Sequence, residues 1–293
     1  CRQTADAGQK RHDLELSQKG GSRVASPYSC CRIYKTGVQP EDEGDPDCDF
    51  NDPAYGCDEA SANDDPEDAY GFGNYSGAFG LVVLSKYPID VANIRTFRKF
   101  LWKDMPGNVM PAGFYQPDEI AVFRLSSKSH WDIPINVNGE VVHVLGSHPT
   151  PPVFDGVEDR NGRRNHDEIR FWEDYVSLSG SDCYIYDDDN VPGCLGQGRR
   201  FVIMGDQNAD PVNGDSFANA ILQFLNNPLI DDSYVPTSSG GLGATSGLSA
   251  TADFGLRADY VLPSEAGLSI QMTACDAADP GLDCGIFWPR SGD

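Results

Sequence analysis

Positive charge is scarce in this sequence: Lys and Arg number 22 against 45 Asp and Glu, and the formal net charge is −23. Such an imbalance argues against a polybasic arm for nucleic acid, or a basic lipid-binding patch, as the main means of attachment. It leaves phosphate substrates open, because a bound metal ion can reverse the local field. The sequence also has no apolar run near the roughly 20 residues of a membrane span, so we expect no transmembrane segment.

The sequence lacks any Cys-x-x-Cys pair, which argues against a zinc cluster. It does contain nine cysteines. Six of them form three local pairs around polar loops, namely Cys48 with Cys57, Cys183 with Cys194, and Cys275 with Cys284. Closing short loops is the simplest connectivity, although sequence alone leaves the pairing open. Because disulfides persist in oxidising compartments, the pairs predict a secreted or periplasmic protein; six free thiols in a cytosolic protein are the alternative.

One long stretch has no positive charge at all. Residues 36–85 contain no Lys or Arg and carry a net charge of −13, whereas residues 1–35 carry +4. This break predicts a boundary, with 1–35 as an atypical segment that is disordered or mis-assigned. Residues 36–293 then form one domain of ordinary enzyme size, with an acidic, Pro-containing loop at 41–68.

Short apolar runs alternate with helical patterns in the rest of the chain. The sequence predicts strands at Phe79–Ser85, Ile120–Leu125, Phe201–Met204, Ala258–Leu262 and Leu268–Thr273, and a hairpin of Ile133–Val137 and Glu140–Leu145 around Asn138-Gly139. Helices are predicted at Arg164–Val176 and Ser216–Leu225. Interleaved strands and helices predict an α/β or mixed α+β class.

Three segments place polar side chains beside apolar strands. His148 follows an apolar run, and strand ends are where a rigid sheet presents side chains to a cleft. Asp206 and Asn208 lie two apart after another buried strand, so extended geometry would point both the same way. Their carboxylate and amide can hold a hard cation or orient a water or a phosphoryl oxygen. Asp259 opens a third apolar strand. Each segment alone also has a structural interpretation, such as a hydrogen-bonding His or an Asx turn.

In this order, the segments resemble the endonuclease/exonuclease/phosphatase superfamily, whose fold is that of DNase I. Gly80–Ile89 (GLVVLSKYPI) is similar to the family's strand ending in Leu-Ser-Arg-Tyr-Pro-Ile, and Ser147–His148 to its central His motif. Gly205–Asn208 (GDQN) resembles its Gly-Asp-Phe-Asn motif, and Arg257–Leu262 (RADYVL) its Arg-Ile-Asp-Tyr-Ile-Leu motif. The resemblance runs from about residue 36 to the end.

The resemblance implies a four-layer α/β/β/α sandwich of two mixed sheets and a metal-dependent hydrolase of phosphate esters. It implies that His148 contacts or protonates the phosphoryl group, and that Asp206 and Asn208 position the attacking water and help to hold Mg²⁺ or a similar cation. Asp259 would orient a second catalytic His. These roles are chemically coherent, because phosphoryl transfer needs charge neutralisation, in-line positioning and proton transfer. The Ser147–Trp172 stretch is most similar to exported bacterial members.

Two family motifs lack a clear counterpart. The early Asn and metal-binding Glu would fall in residues 1–35, which offer only Glu15, without the expected apolar strand. The terminal Ser-Asp-His would fall where the chain reads Ser291–Asp293, and no His follows Asp259. The chain also begins at Cys1. These departures predict a member that is incomplete at both ends, lacking some N-terminal strands and the final strand, with impaired activity.

A basic cluster follows the central His motif. We expect Arg160, Arg164, Asn165 and His166 to bind the substrate phosphate, partly through the helix N-terminus near Asn165; capping and surface ion pairs are the alternative. Ser126–His130 (SSKSH) is a candidate for lining the same cleft, although a solvated loop is the favoured interpretation.

Asp45, Asp47 and Asp49 have the oxygen spacing of a Ca²⁺ loop but lack its sixth-position Gly, so a structural Ca²⁺ site competes with a bare acidic loop. The predicted function is metal-dependent hydrolysis of a nucleic acid, a phospholipid head group or a small phosphate ester. The alternative is a non-catalytic extracellular Ca²⁺-associated binding module derived from the same fold. In either case we expect a monomer.

Overall fold

The computed structural model describes residues 28–31 and 79–270, and the structural statements below concern these residues. Its strands are β1 Tyr28–Cys31, β2 Val82–Ser85, β3 Arg95–Thr96, β4 His130–Val137, β5 Glu140–Ser147, β6 Phe201–Asp206 and β7 Asp259–Pro263. Its α-helices are α1 Pro117–Val122, α2 Arg160–Ser177 and α3 Leu222–Leu225. Short 3₁₀ turns connect several of these elements.

A five-stranded mixed sheet with the strand order β3-β4-β5-β6-β7 forms the centre of the described region. Its neighbours pair antiparallel, except that β5 and β6 are parallel. A parallel pair needs a crossover connection, and α2 supplies it between β5 and β6. β1 and β2 form a separate antiparallel pair. The mixed sheet with its helices confirms the predicted α/β class, whereas the sandwich of two mixed sheets stays a prediction.

The hairpin of β4 and β5 fixes the register of the sheet. Asn138 and Gly139 both have positive φ, at 55° and 95°, as a two-residue I′ turn requires. The side-chain oxygen of Asn136 accepts the Gly139 N–H at 2.8 Å. Pairing then runs without a break until His130 lies opposite Ser147. The turn predicted from the Asn-Gly dipeptide therefore sets the strand end that precedes His148.

Side-chain alternation along the strands separates two apolar cores. On one face of the sheet, Leu145, Ile203 and Leu262 pack in the core that includes Ile169, Trp172 and Val176 of α2. On the other face, Trp131, Ile133 and Val144 pack with Leu81, Val83 and Met204. The sheet thus lies between α2 and the β2 segment, and each strand residue belongs to one side or the other.

The strand predicted at Ile120–Leu125 is wrong, because the chain forms helix α1 there. Pro117 occupies the first turn, where its missing N–H costs nothing. Gln116 and Glu119 form a reciprocal capping box around the helix start. These local signals outweigh the apolar run, which is too short to distinguish strand from helix by periodicity.

Two other predicted elements differ in extent. The helix predicted at Ser216–Leu225 is broken, because Ala218 adopts a left-handed conformation with φ of 49°, and only Leu222–Leu225 is α-helical. The final predicted strand, Leu268–Thr273, forms no strand up to residue 270, and its remainder lies outside the described residues.

A disulfide joins Cys183 to Cys194 in the loop between α2 and β6, as the local pairing predicted. The other two predicted pairs, the acidic loop 41–68 with Asp45, Asp47 and Asp49, and all of the segment 1–35 except β1 lie outside the described residues. None of the helices that the structure describes is long and apolar enough to cross a membrane.

His130, the first residue of β4, is a neutral histidine inside the fold. It is 1% exposed. Its Nε2 lies 2.9 Å from the backbone oxygen of Glu168, and its Nδ1 lies 2.9 Å from the Ser126 hydroxyl. A carbonyl oxygen only accepts, so Nε2 carries the proton and Nδ1 accepts from Ser126. Burial lowers the pKa of His130 to about 4.

We expect the free energy of unfolding to fall as the pH drops from about 7.5 to 4.5. The unfolded chain binds a proton at His130 near its ordinary pKa of 6.5, whereas the folded chain resists protonation down to about 4. The loss due to this residue is about 2–3 kcal/mol. Urea denaturation of the wild type and of His130→Gln at both pH values measures it. An equal loss in the two proteins would refute the assignment.

Candidate functional site

Strand alternation brings His148, Asp206 and Asp259 to one end of the same sheet face. His148 directly follows β5 and continues the alternation of Val144, while Asp206 ends β6 on the side of Met204. Asp259 opens β7 directly opposite Asp206, and directly paired residues share a face. The resulting distance from His148 Nε2 to Asp206 Oδ2 is 3.5 Å. The structure therefore brings these three predicted residues together.

Gly205 permits the close approach of the two parallel strands at this end. Its φ is 140°, and a Cβ atom built there would collide with the backbone oxygen of Ser147. Any side chain at this position would push β6 away from the end of β5. The glycine of the Gly-Asp pair thus sets the spacing between His148 and Asp206.

Asn208 reaches the site through a turn rather than through extended backbone. Its φ is 52°, so the extended backbone expected from Asp206 to Asn208 is wrong. Instead, the Asn208 N–H donates to Asp206 Oδ1 at 2.9 Å. Its side-chain Nδ2 donates to the Pro149 carbonyl at 3.0 Å. The turn therefore holds Asn208 next to the Asp206 carboxylate and next to the loop that follows His148.

Residues absent from the sequence prediction fix the start of β7. The Thr251 hydroxyl accepts the backbone N–H groups of Ala258 and Asp259, each at 2.9 Å. The Asp210 carboxylate accepts the Arg257 N–H at 2.8 Å. Asp210 follows the Asp206–Asn208 turn closely in sequence. Its bond to Arg257 therefore connects the end of β6 to the start of β7, in addition to the hydrogen bonds between the two strands.

Burial and like charge control the protonation of the site. Burial raises the pKa of Asp206 to about 6, and the nearby charge of Asp259 adds to the rise. Burial, together with the positive charge of Lys128, lowers the pKa of His148 to about 3. At neutral pH, His148 is therefore uncharged and Asp206 is mostly ionised. Their 3.5 Å contact is a polar contact of a neutral imidazole, not an ion pair.

The acids offer a partial fit to a divalent cation. Two partly buried negative charges side by side disfavour each other, and a cation between them would relieve this repulsion. Mg²⁺ commonly takes one or two carboxylates and keeps several waters. Residues 79–270 contain no group of three or more His, Cys, Asp or Glu side chains that could hold a metal ion. Within that range, the fit rests on Asp206, Asp259 and the amide of Asn208.

The segment Ser126–His130 is buried throughout, so the favoured interpretation as a solvated loop is wrong. Glu168 of α2 explains its position. Glu168 Oε1 accepts the backbone N–H and the hydroxyl of Ser127, at 2.7 and 3.0 Å. Glu168 Oε2 accepts the Thr150 N–H at 2.6 Å. One fully buried carboxylate thus fastens this segment and the loop after His148 to the same helix. No local pattern in the sequence indicates this role.

The four residues predicted to bind phosphate divide into two kinds. Helix α2 begins at Arg160, so Arg164 and Asn165 fall in its second turn and not at its N-terminus. Both are buried: Arg164 donates to the backbone oxygens of residues 124 and 125, and Asn165 Nδ2 donates to those of residues 150 and 207. These contacts connect the helix to the strand ends. Phosphate binding by Arg164 and Asn165 stays a prediction, and their burial argues against it.

The other two members of that cluster are half-buried. Arg160 forms an ion pair with Glu158, and its guanidinium lies over the Phe114 ring, 5.5 Å from the centroid. His166 Nδ1 lies 3.0 Å from Asp167 Oδ1. For these two residues, phosphate binding stays a prediction.

The sequence matches the profile described as "Endonuclease/Exonuclease/phosphatase family" over residues 12–278. Among solved structures, it is similar to sphingomyelinase C from Streptomyces griseocarneus, with 16% identity over 65% of this chain and 54% of that chain and a TM-score of 0.36. It is similar to an endonuclease/exonuclease/phosphatase from Beutenbergia cavernae, with 18% identity over 69% and 44% and a TM-score of 0.39.

A beta toxin variant from Staphylococcus aureus with bound magnesium ions shows 17% identity over 66% of this chain and 55% of that chain, with a TM-score of 0.37. The chain therefore spans about half the length of these solved proteins. No curated protein matches the sequence.

Replacing Glu168 by Gln should destabilise the fold. In the wild type, the two oxygens of Glu168 accept the backbone N–H groups of Ser127 and Thr150. A glutamine keeps only one of these oxygens, and its NH₂ group cannot accept a hydrogen bond. At least one buried N–H donor therefore loses its partner. We expect the free energy of unfolding to fall by about 2–3 kcal/mol. Urea denaturation measures the change, with Glu173→Gln at a half-buried position of the same helix as the control. Equal, small changes in both variants would contradict the role of Glu168.

Replacing Asp206 by Asn should stabilise the metal-free protein at neutral pH. The folded state raises the pKa of this carboxyl from 3.8 to about 6, so its charge costs stability above about pH 6 and nothing below 3.8. The side chain is 32% exposed, and with screening the expected gain is about 1–2 kcal/mol at pH 7.5 in EDTA.

Thermal or urea unfolding measures this gain, and the exposed Asp253→Asn serves as the control. The advantage of Asp206→Asn should largely disappear once the pH falls below 3.8, where this carboxyl is mostly protonated in both the folded and the unfolded chain. A gain that persists at that pH would point to packing instead of charge.

Proposed function

Because this chain belongs to the endonuclease/exonuclease/phosphatase family, we propose that its site hydrolyses a phosphate ester with the aid of a divalent cation. The family acts on phosphoester bonds, which supports the reaction class. The observation that carries the proposal for this chain is the 3.5 Å contact of a neutral His148 with a mostly ionised Asp206 at one sheet end. The neutral imidazole can donate its N–H to a bound oxygen, and the carboxylate, whose pKa of about 6 lies close to neutral pH, can accept a proton from water.

His148 and Asn208 would bind the phosphoryl group. His148 Nε2, as an N–H donor, can shift from Asp206 to a phosphoryl oxygen. The Asn208 amide has one N–H engaged with the Pro149 carbonyl. Its second N–H can donate to a phosphoryl oxygen, and its side-chain oxygen can accept from water. The hydrogen bond from the Asn208 backbone N–H to Asp206 Oδ1 fixes the position of Asn208 relative to Asp206.

Asp206 would orient the attacking water. Its Oδ1 is held by the Asn208 N–H, and its Oδ2 faces His148. A carboxylate whose pKa lies near 6 is ionised at neutral pH and can accept a hydrogen bond, or a proton, from water. The side chains of His148 and Asp206 are mostly buried, which excludes competing solvent and strengthens these contacts.

Asp206 and Asp259 would hold the cation, with the Asn208 oxygen within the same turn. When bound, a divalent cation neutralises the phosphoryl charge and polarises its oxygens. We propose Mg²⁺, because the available ligands are oxygens. The charge of Asp259 next to Asp206 supports its place in the cation site. Its role as the orienter of a second His stays a prediction.

We further propose that the protein is exported, which the Cys183–Cys194 disulfide supports. The substrate is one of the three classes named above: a nucleic acid, a phospholipid head group or a small phosphate ester. The Ca²⁺-associated binding module remains the alternative if no ester is cleaved, and calorimetric titration with Ca²⁺ tests it directly.

The purified protein should cleave bis-(p-nitrophenyl) phosphate, or an ester from one of these classes, with Mg²⁺ and lose this activity in EDTA. The rate should be low, because two family motifs lack a clear counterpart in this chain. His148→Ala and Asp206→Ala should each lower kcat by roughly 10²–10⁴-fold, because each removes a proton-transfer or water-orienting group. A release assay for p-nitrophenol, a fluorescent oligonucleotide and sphingomyelin vesicles separate the three substrate classes.

His143→Gln is the control for His148, since it replaces a histidine within β5 that pairs with Asp132 away from the site. Asp253→Asn is the control for Asp206. Full activity in the His148 and Asp206 variants, with normal unfolding curves, would show that the hydrolysis takes place elsewhere.

A further inference from the structure

Lys128 is a buried lysine next to the candidate site. The residue is 7% exposed. Its Nζ donates to the Pro149 carbonyl at 3.2 Å and to the Ser127 hydroxyl at 3.4 Å. The Phe79 ring, whose centroid lies 6.0 Å from Nζ, also packs edge-on against His148 with a centroid distance of 6.1 Å. The lysine and the histidine thus share an aromatic neighbour and a loop.

Within the part of the chain that the structure describes, no carboxylate lies at ion-pair distance from Lys128 Nζ. Glu168 and Asp206 attract its charge over a longer distance, and Arg164 repels it. The Glu168 oxygens are already occupied by Ser127 and Thr150. Buried lysines are rarely without an ionic partner, and an ammonium has three N–H groups, of which two are used here.

The free N–H belongs to a group that lies close to the proposed phosphoryl position. The Pro149 oxygen accepts from Lys128 Nζ at 3.2 Å and from Asn208 Nδ2 at 3.0 Å. The two nitrogens are therefore at most about 6 Å apart, a span that one phosphate can bridge with hydrogen bonds of about 2.9 Å. The charge of Lys128 adds to the burial that lowers the pKa of His148, and it opposes the burial that raises the pKa of Asp206.

We propose that Lys128 is a substrate-binding residue whose third N–H donates to a non-bridging phosphoryl oxygen of the ester held by His148 and Asn208. The proposal rests on the proposed function and adds to the site a cation that belongs to the chain itself. Burial lowers the pKa of Lys128 to about 8, so the ammonium is mostly charged at neutral pH. The ammonium is part of the chain, so its contribution to phosphate binding persists when divalent cations are removed. The anion also supplies the ionic partner that this buried lysine otherwise lacks.

Calorimetric titration with inorganic phosphate, in EDTA and in Mg²⁺, tests the contact without requiring turnover. We expect Lys128→Met to weaken phosphate binding roughly tenfold or more in both buffers and to lower kcat/KM for ester cleavage by a similar factor. Lys103→Met is the matched control, because Lys103 Nζ also donates to a backbone oxygen, that of Ala121 at 2.8 Å, but is exposed. It should change neither quantity by more than about twofold.

The outcomes separate this proposal from the hydrolase assignment. Unchanged phosphate affinity in folded Lys128→Met, or no phosphate binding by the wild type, overturns the role of Lys128 even if ester cleavage is observed. Phosphate binding that depends on Lys128 in a protein that cleaves no ester upholds the binding role and defeats the hydrolase.

A measurement on the wild type covers the case in which Lys128→Met fails to fold. Phosphate should slow amine acetylation of Lys128, read by mass spectrometry, relative to Lys99 and Lys103 in the same molecule. Equal rates with and without phosphate at all three lysines would overturn the proposal.

Discussion

The carboxylate of Glu168 connects one helix to two separate loops, and the geometry of the site depends on it. One oxygen holds Ser127, and the other holds the Thr150 N–H, two residues after His148. The backbone oxygen of the same residue binds His130. A buried carboxylate needs all of its acceptor capacity met, and here the donors come from the segments that carry Lys128 and His148. Helix α2 therefore positions a cation and an imidazole together, although it contributes neither.

The chemistry of the other groups follows from where the strands end. Alternation places His148, Asp206 and Asp259 on the sheet face away from α2, while Gln207 and Asn165 bond on the side of the helix. Burial raises the pKa of Asp206, and the charge of Asp259 adds to this rise. Burial and the positive charge of Lys128 lower the pKa of His148. Both shifts have the same consequence: an ionised carboxylate beside an uncharged imidazole at neutral pH. This is the protonation pattern that the proposed hydrolysis requires.

Local signals were sufficient to predict much of this arrangement. The Asn138-Gly139 turn fixed the hairpin, apolar runs marked β6 and β7, and motif order placed His148, Asp206, Asn208 and Asp259 in one site. The failures share a physical cause, which is that they depend on tertiary contacts. The sequence places Arg164 and Asn165 at an exposed helix N-terminus. The helix begins at Arg160, so both residues lie in its second turn, where they are buried. Nothing near the Ser-rich segment indicates that Lys128 is buried, because the carboxylate that holds this segment belongs to Glu168, far along the chain.

Alternate side chains of each strand lie on opposite faces of the sheet, and this separation affects how such a site can evolve. The groups proposed to act on the ester lie on one face, and the contacts that hold the strand ends to α2 lie on the other. Substitutions on the first face can alter the chemistry while the anchoring contacts persist, and repacking on the helix side can adjust stability without replacing a reacting group. Gly205 is the exception, because it sits where the two strands nearly touch. At that position, the fold and the reaction would have to evolve together.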